Sequence, residues 1–153
     1  MSRKSTKGKT LIELTSDIIT LIRSLGKQFD QHDRSLIRYH GIQGITPPQL
    51  FILQVLWKED GIPLKYLASL AKVSRATMTG IVDTMEKNGF IIRVPNPKDD
   101  RSKLVKLTNK GNEVKQYKPP IDLSTIDFFK DFKPEELENL NLLLEKLSNS
   151  LGS

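Results

Sequence analysis

The sequence predicts a mainly α chain with one small β-hairpin, and three observations carry that expectation. Apolar residues recur at helical spacing along several segments. Ser, Thr, Pro and Gly fall where the ends of those segments need caps and breakers. One stretch, 90–107, reads as two short strand-like runs around a charged loop marked by proline.

Length and charge bound the rest. The chain has 153 residues, enough for one domain with a sizeable core. Its apolar content of 37% and the lack of a long apolar run argue against a membrane span. No leader pattern follows the basic start MSRKSTKGKT, so the expected location is cytoplasmic. The absence of cysteine removes disulfides, thiolate metal sites and thiol redox chemistry. The net charge is +6, unevenly spread. Residues 1–115 hold 20 Lys/Arg against 11 Asp/Glu, whereas 116–153 hold 4 against 7. A basic front suits a polyanionic partner, and the acidic tail suits another task.

The elements follow in order. Residues 1–10 read as a disordered basic tail. Leu11, Leu14, Ile18, Leu21 and Leu25 step by 3, 4, 3, 4, an a/d stripe on a helix expected to reach Tyr39 and stop at Gly41 and Gly44. The region 11–44 is therefore an N-terminal helical segment. Thr46-Pro47-Pro48-Gln49 combines a cap, an N1 proline and a capping-box glutamine. The following LFILQVLWK is apolar nearly all round and reads as the buried central helix. Pro63 opens a short third helix, and Ser74 caps a fourth over 75–88 that ends at Gly89. On the fourth, Met78, Ile81, Val82 and Met85 share one face, with Arg75, Thr79, Gly80, Asp83 and Lys87 on the other. FIIRV and SKLVKL form the hairpin, and a further helix begins at Thr108-x-x-Gly111. Pro119-Pro120 interrupts or ends it, and a last helix starts at Pro134 with Glu135 and Glu136 in its first turn.

The third and fourth helices are joined by a turn of three or four residues. Small Ala68 and Ala71, with Leu67, Val73, Met78 and Ile81, supply the close crossing of a helix-turn-helix. Lys72 stands where the backbone of such a turn often needs φ > 0 and glycine. The plainer alternative is two packed helices of an α domain. A charged hairpin immediately afterwards turns them into a winged helix-turn-helix core, 45–111, with its wing at 91–107. Helix 75–88 then fits the major groove of double-stranded DNA. Arg101 at the wing tip fits the narrow minor groove, with Lys98, Lys103 and Lys106 on phosphates. Pro95 and Pro97 stiffen the arm, and Asp99 or Asp100 holds Arg101 in place.

The segment from Leu67 to Gly111 resembles the core of the MarR family of transcriptional regulators. The resemblance rests on Asp83…Glu86-Lys87-x-Gly89-Phe90-Ile91, on Asp99-x-Arg101 and on Leu107-Thr108-x-x-Gly111. It implies a homodimer on a pseudo-palindromic operator, and a small anionic or aromatic effector that weakens DNA binding. It implies that Ser74, Arg75, Ala76, Thr77 and Thr79 form the DNA-facing start of the recognition helix. It also implies that Asp83 ties that helix to a basic residue near the wing, for which Arg93 is the candidate. Gly80 departs from the family, which often carries a long basic or polar side chain there. Pro119-Pro120 departs too, breaking a helix that is usually long.

The terminal stripes argue for self-association independently of the resemblance. Leu11, Leu14, Ile18 and Leu21 at one end, and Leu140, Leu144, Leu147 and Leu151 at the other (112–153), exceed what a small core buries. The plainer alternative is that the two seams pack on each other within one chain. Tyr39, Phe51, Trp57, Tyr66 and Tyr117 read first as core aromatics. The sharper alternative is an effector pocket of Tyr39, Trp57 and Tyr117, with Arg38 or His40 facing a carboxylate. His32 and His40 lack metal-ligand spacing, and no catalytic set or cofactor motif is present, so no enzyme, metal or cofactor is expected. The rival function is a winged-helix protein-interaction module without specific DNA binding.

Overall fold

The computed structural model describes residues 8–117 and 125–152. Residues 1–7 of the expected basic tail, and Pro119 and Pro120, lie outside the described residues. The chain divides into two compact units, 1–115 and 116–153.

The first unit opens with α1 (Leu11–Tyr39), started by a capping box. The Thr10 hydroxyl accepts from the Glu13 amide at 3.3 Å, and the Glu13 carboxylate accepts from the Thr10 amide at 2.8 Å. Gly41 and Gly44, both at positive φ, close α1 and lead into α2 (Pro47–Lys58). Gln49 accepts from the Thr46 amide at 3.0 Å, which sets the entry of α2. Helix α3 (Leu64–Ala71) and helix α4 (Arg75–Lys87) follow, then strands β2 (Ile91–Pro95) and β3 (Lys103–Leu107), then α5 (Asn109–Lys115).

The fold is mainly α with a small antiparallel sheet, as the patterning predicts. The sheet has one strand more than expected. Ile62 and Pro63 form a two-residue β1 that pairs with Val105 and Leu104, giving the order β1-β3-β2. Two residues before a helix carry no alternation to read, so the sequence hides this strand. Asp60 secures it: its carboxylate accepts from the Gly61 amide at 3.0 Å and from the Leu107 amide at 2.9 Å.

The core lies among α2, α4 and the sheet. Leu50, Ile52, Leu53 and Leu56 of α2 are buried, with Leu67 of α3 and Met78, Val82 and Met85 of α4. Phe90, Ile91 and Val105 close it from the sheet. The irregular apolar pattern of β3 resolves as Val105 facing the core, with Leu104 and Leu107 half-buried. Gly111 is required by packing, because a Cβ there would sit 2.2 Å from the Phe90 carbonyl. Thr108 locks the same corner by donating to the Gly89 carbonyl and accepting from the Gly111 amide. The indole of Trp57 donates to the Gly111 carbonyl at 3.0 Å, fastening α2 to α5.

The second unit holds a 3-10 turn (Ile126–Phe129) and α6 (Pro134–Leu151). The stretch 122–131, ambiguous from sequence, thus contains one short turn among its described residues. Glu136 accepts from the Lys133 amide at 2.9 Å and starts α6.

Candidate nucleic-acid interface

The turn between α3 and α4 sets the angle at which α4 is presented. Lys72 takes φ 54°, ψ 40°, the left-handed conformation that glycine normally supplies. A lysine there costs about 1 kcal/mol, so the turn is held by its surroundings. The Val73 amide donates to the Ala68 carbonyl at 3.1 Å, and buried Ala68 sits at the crossing. Ser74 then caps α4 by accepting from the Thr77 amide at 3.0 Å.

Helix α4 buries Met78, Val82 and Met85 and leaves Arg75, Ala76, Thr77, Gly80, Asp83 and Lys87 exposed. Ser74 is exposed at the cap, and Thr79 is half-buried beside the open face. Its hydroxyl donates to the Arg75 carbonyl at 2.8 Å. The five residues expected at the DNA-facing start of the helix therefore cluster at its N-terminal half.

The wing tip is ordered by side chains. Asn96 accepts from the Lys98 amide at 3.0 Å and donates to the Ser102 hydroxyl at 2.8 Å, bridging both sides of the loop. Asp99 accepts from the Arg101 backbone amide at 3.0 Å. Asp99 thus fixes the backbone of Arg101, whose side chain is exposed and has no hydrogen-bond or ion-pair partner among the described residues. Lys98, Lys103 and Lys106 are exposed along the same ribbon.

A second contact ties the wing to α4. The Arg93 guanidinium meets Asp83 at 2.6 Å and Glu86 at 2.6 Å, and the Arg93 amide donates to Glu86 at 3.0 Å. The Asp83–Arg93 pairing is the one expected; Glu86 is a partner the sequence reading did not name. Asp83 and Glu86 are one turn apart on α4, so i,i+3 spacing was the available signal. The hydrogen bond from the Arg93 side chain, then that from its backbone amide, holds the Glu86 carboxyl below its ordinary pKa of 4.5. The same Glu86 hydrogen bond raises the Arg93 pKa, keeping it charged.

Arg38 and Tyr39 are exposed at the end of α1, and Trp57 is engaged with α5. Tyr117 is exposed in the second unit. An apolar hollow of about 390 Å³ lies on the first unit, lined by residues that include Phe51, Leu70, Val73 and Ile81. Of the stripe residues, Leu14 is half-buried, while Leu11, Ile18, Leu21, Leu140, Leu144, Leu147 and Leu151 are exposed.

Known proteins share this arrangement. Residues 45–103, the span from the start of α2 to the start of β3, match the model of the MarR family. An uncharacterised HTH-type transcriptional regulator of Bacillus subtilis strain 168, YkoM, is 30% identical over 129 residues, 84% of each chain. The multiple antibiotic resistance protein MarR of Salmonella typhimurium is 30% identical over 142 residues, 91% of this chain and 98% of that one. Among solved structures, a MarR transcriptional regulator from Methanosarcina mazei Go1 superposes with a TM-score of 0.69 at 25% identity. That match covers 90% of this chain and 98% of the other.

Proposed function

The chain belongs to the MarR family of winged-helix, DNA-binding transcriptional regulators, and from that premise we propose that it acts as a cytoplasmic homodimer on a pseudo-palindromic operator. Helix α4 reads the major groove through Arg75, with Ser74, Ala76, Thr77 and Thr79 around it. Arg101 enters the minor groove, and Lys98 and Lys103 hold phosphates. Asp83 and Glu86, through Arg93, fix the angle between helix and wing, and Asp99 fixes the tip. The observation that carries this reading is the joint presentation of α4 and an ordered, cationic wing tip on one rigid core.

The homodimer assembles through the leucine faces of α1 and α6. A two-fold pair presents two recognition helices about one helical turn apart along the duplex. A small anionic or aromatic effector regulates it. A ligand that prefers a helix spacing mismatched to DNA weakens DNA binding by the same factor that DNA weakens its own binding.

Binding of the purified protein to a fluorescent duplex from its own upstream region, against a scrambled duplex, tests the reading across several salt concentrations. Selective binding with two protomers per site is expected. Equal, weak and steeply salt-dependent binding to both duplexes would reduce the interface to a basic surface.

A further inference from the structure

Gly80 stands in the middle of the exposed face of α4, and the chain itself has no use for a glycine there. The contrast with Gly111 is direct. A Cβ on Gly111 would collide with the Phe90 carbonyl, whereas a Cβ on Gly80 would meet nothing within 4 Å. Gly80 is exposed and holds ordinary helical backbone, without the positive φ that marks Gly41, Gly44, Gly61 and Gly89. Glycine weakens a helix interior relative to alanine. One use glycine keeps in such a place is to let another molecule approach the backbone closely.

The side chains around Gly80 fit the same purpose. Ala76 lies one turn before it and carries only a methyl. The hydroxyls of Thr79 and Thr84 donate to the carbonyls of Arg75 and Gly80 in their own helix. Those of Ser74 and Thr77 face each other at 2.9 Å. Asp83 is held by Arg93. The centre of this face, at Ala76 and Gly80, therefore offers a methyl group and bare backbone, with the Thr79 and Thr84 hydroxyl protons committed to the helix's own carbonyls. Within a major groove, such a surface has one natural counterpart, the C5-methyl of thymine.

Resting on the DNA-binding reading above, we propose that Gly80 is the point of closest approach of α4 to the groove floor. There Ala76 and Thr79 select thymine by its methyl group. The recognition helix thus reads mainly through apolar contact and shape, and Arg75 supplies its principal polar contact.

The test uses the full chain and a library of randomised 30-base-pair duplexes, of a length set on the order of three helical turns. The selected duplex is then made with deoxyuridine in place of thymidine, which removes only the methyls. Gly80→Ala is expected to unfold at a higher temperature and yet bind the selected duplex roughly tenfold more weakly. The deoxyuridine duplex is expected to lose comparable affinity for the unsubstituted protein and little more for Gly80→Ala. Unchanged affinity of Gly80→Ala, or no loss on removing the methyls, overturns the proposal while leaving DNA recognition intact. Failure of the unsubstituted protein to select any sequence overturns both.

Discussion

The winged-helix core and the helix α1 use the same sequence signal and put it to different ends. Both carry apolar residues at helical spacing. In the core, Leu50, Leu53, Leu56, Met78, Val82 and Met85 are at most 1% exposed. Helix α1, with 29 residues, buries none completely, and Leu21 is 59% exposed. Helix α6, in the other unit, likewise buries none. The periodicity that closes a core within one chain is here left open along the terminal helices. Exposed apolar faces of this length fit the self-association proposed above. Periodicity identifies a helix face but is silent about what covers it.

Leu53→Ala removes buried methyl groups from the centre of α2 and is expected to cost about 2–5 kcal/mol in chemical unfolding. The paired change Ile18→Glu with Leu21→Glu places charge on the open face of α1. It is expected to leave the helical circular dichroism of the core in place while sedimentation shows monomers. Operator affinity then falls roughly 100-fold or more, because the second half-site no longer binds as part of one complex. A dimer that survives this change would place the self-association surface elsewhere.

Smaller effects separate the two readers on the core. Arg75→Ala is expected to lose about 1–3 kcal/mol of operator binding and to relax selectivity at one base position, read by competition with single-base variants. Arg101→Ala is expected to weaken all duplexes containing a narrow minor groove and to lower the salt slope by about one. An Arg101→Ala protein with unaltered affinity and slope would leave the ordered wing tip without a task.

The smallest expected effect is a pH dependence at the Glu86–Arg93 contact. The folded state holds the Glu86 carboxyl below 4.5, so it binds that proton less readily than the unfolded chain does. The contact's stabilisation is therefore complete above the ordinary glutamate value and is lost as the pH falls through the lower folded value. The difference in unfolding midpoint between the unsubstituted protein and Glu86→Gln should shrink over that acidic window and stay constant from pH 6 to about 8. A constant difference down to about pH 3 would assign the contact no electrostatic part.

Local chemistry made much of the fold legible. Thr46-Pro47 and Ser74 announce helix starts because caps act within a few residues, and Lys72 marks the left-handed turn by standing where glycine is usual. The Asp83–Arg93 pair was legible through resemblance and the geometry brings the two together. What escaped depends on contacts distant in sequence or on atoms that residue type does not specify. Strand β1 exists because Ile62 and Pro63 meet β3 some 40 residues later. Asn96 reads as an ordinary turn residue, and only the folded loop shows that it bridges both sides of the wing. Asp99 was expected to act on Arg101, and it does so through the backbone amide, a choice that residue types leave open. Residue type suggested the grouping of Arg38, Tyr39, Trp57 and Tyr117, and only the fold shows that the Trp57 indole donates to the Gly111 carbonyl.

The pairing of β1 with β3 gives the core the character of a single casting. Asp60 and Ile62 weld the root of the wing to the residues that lead into α3, while Arg93 welds its outer strand to α4. Both grips of the reading head are thus set by one frame, like two jaws cut from the same block. Under the proposed DNA-binding reading, any displacement of this frame would carry helix and wing along together.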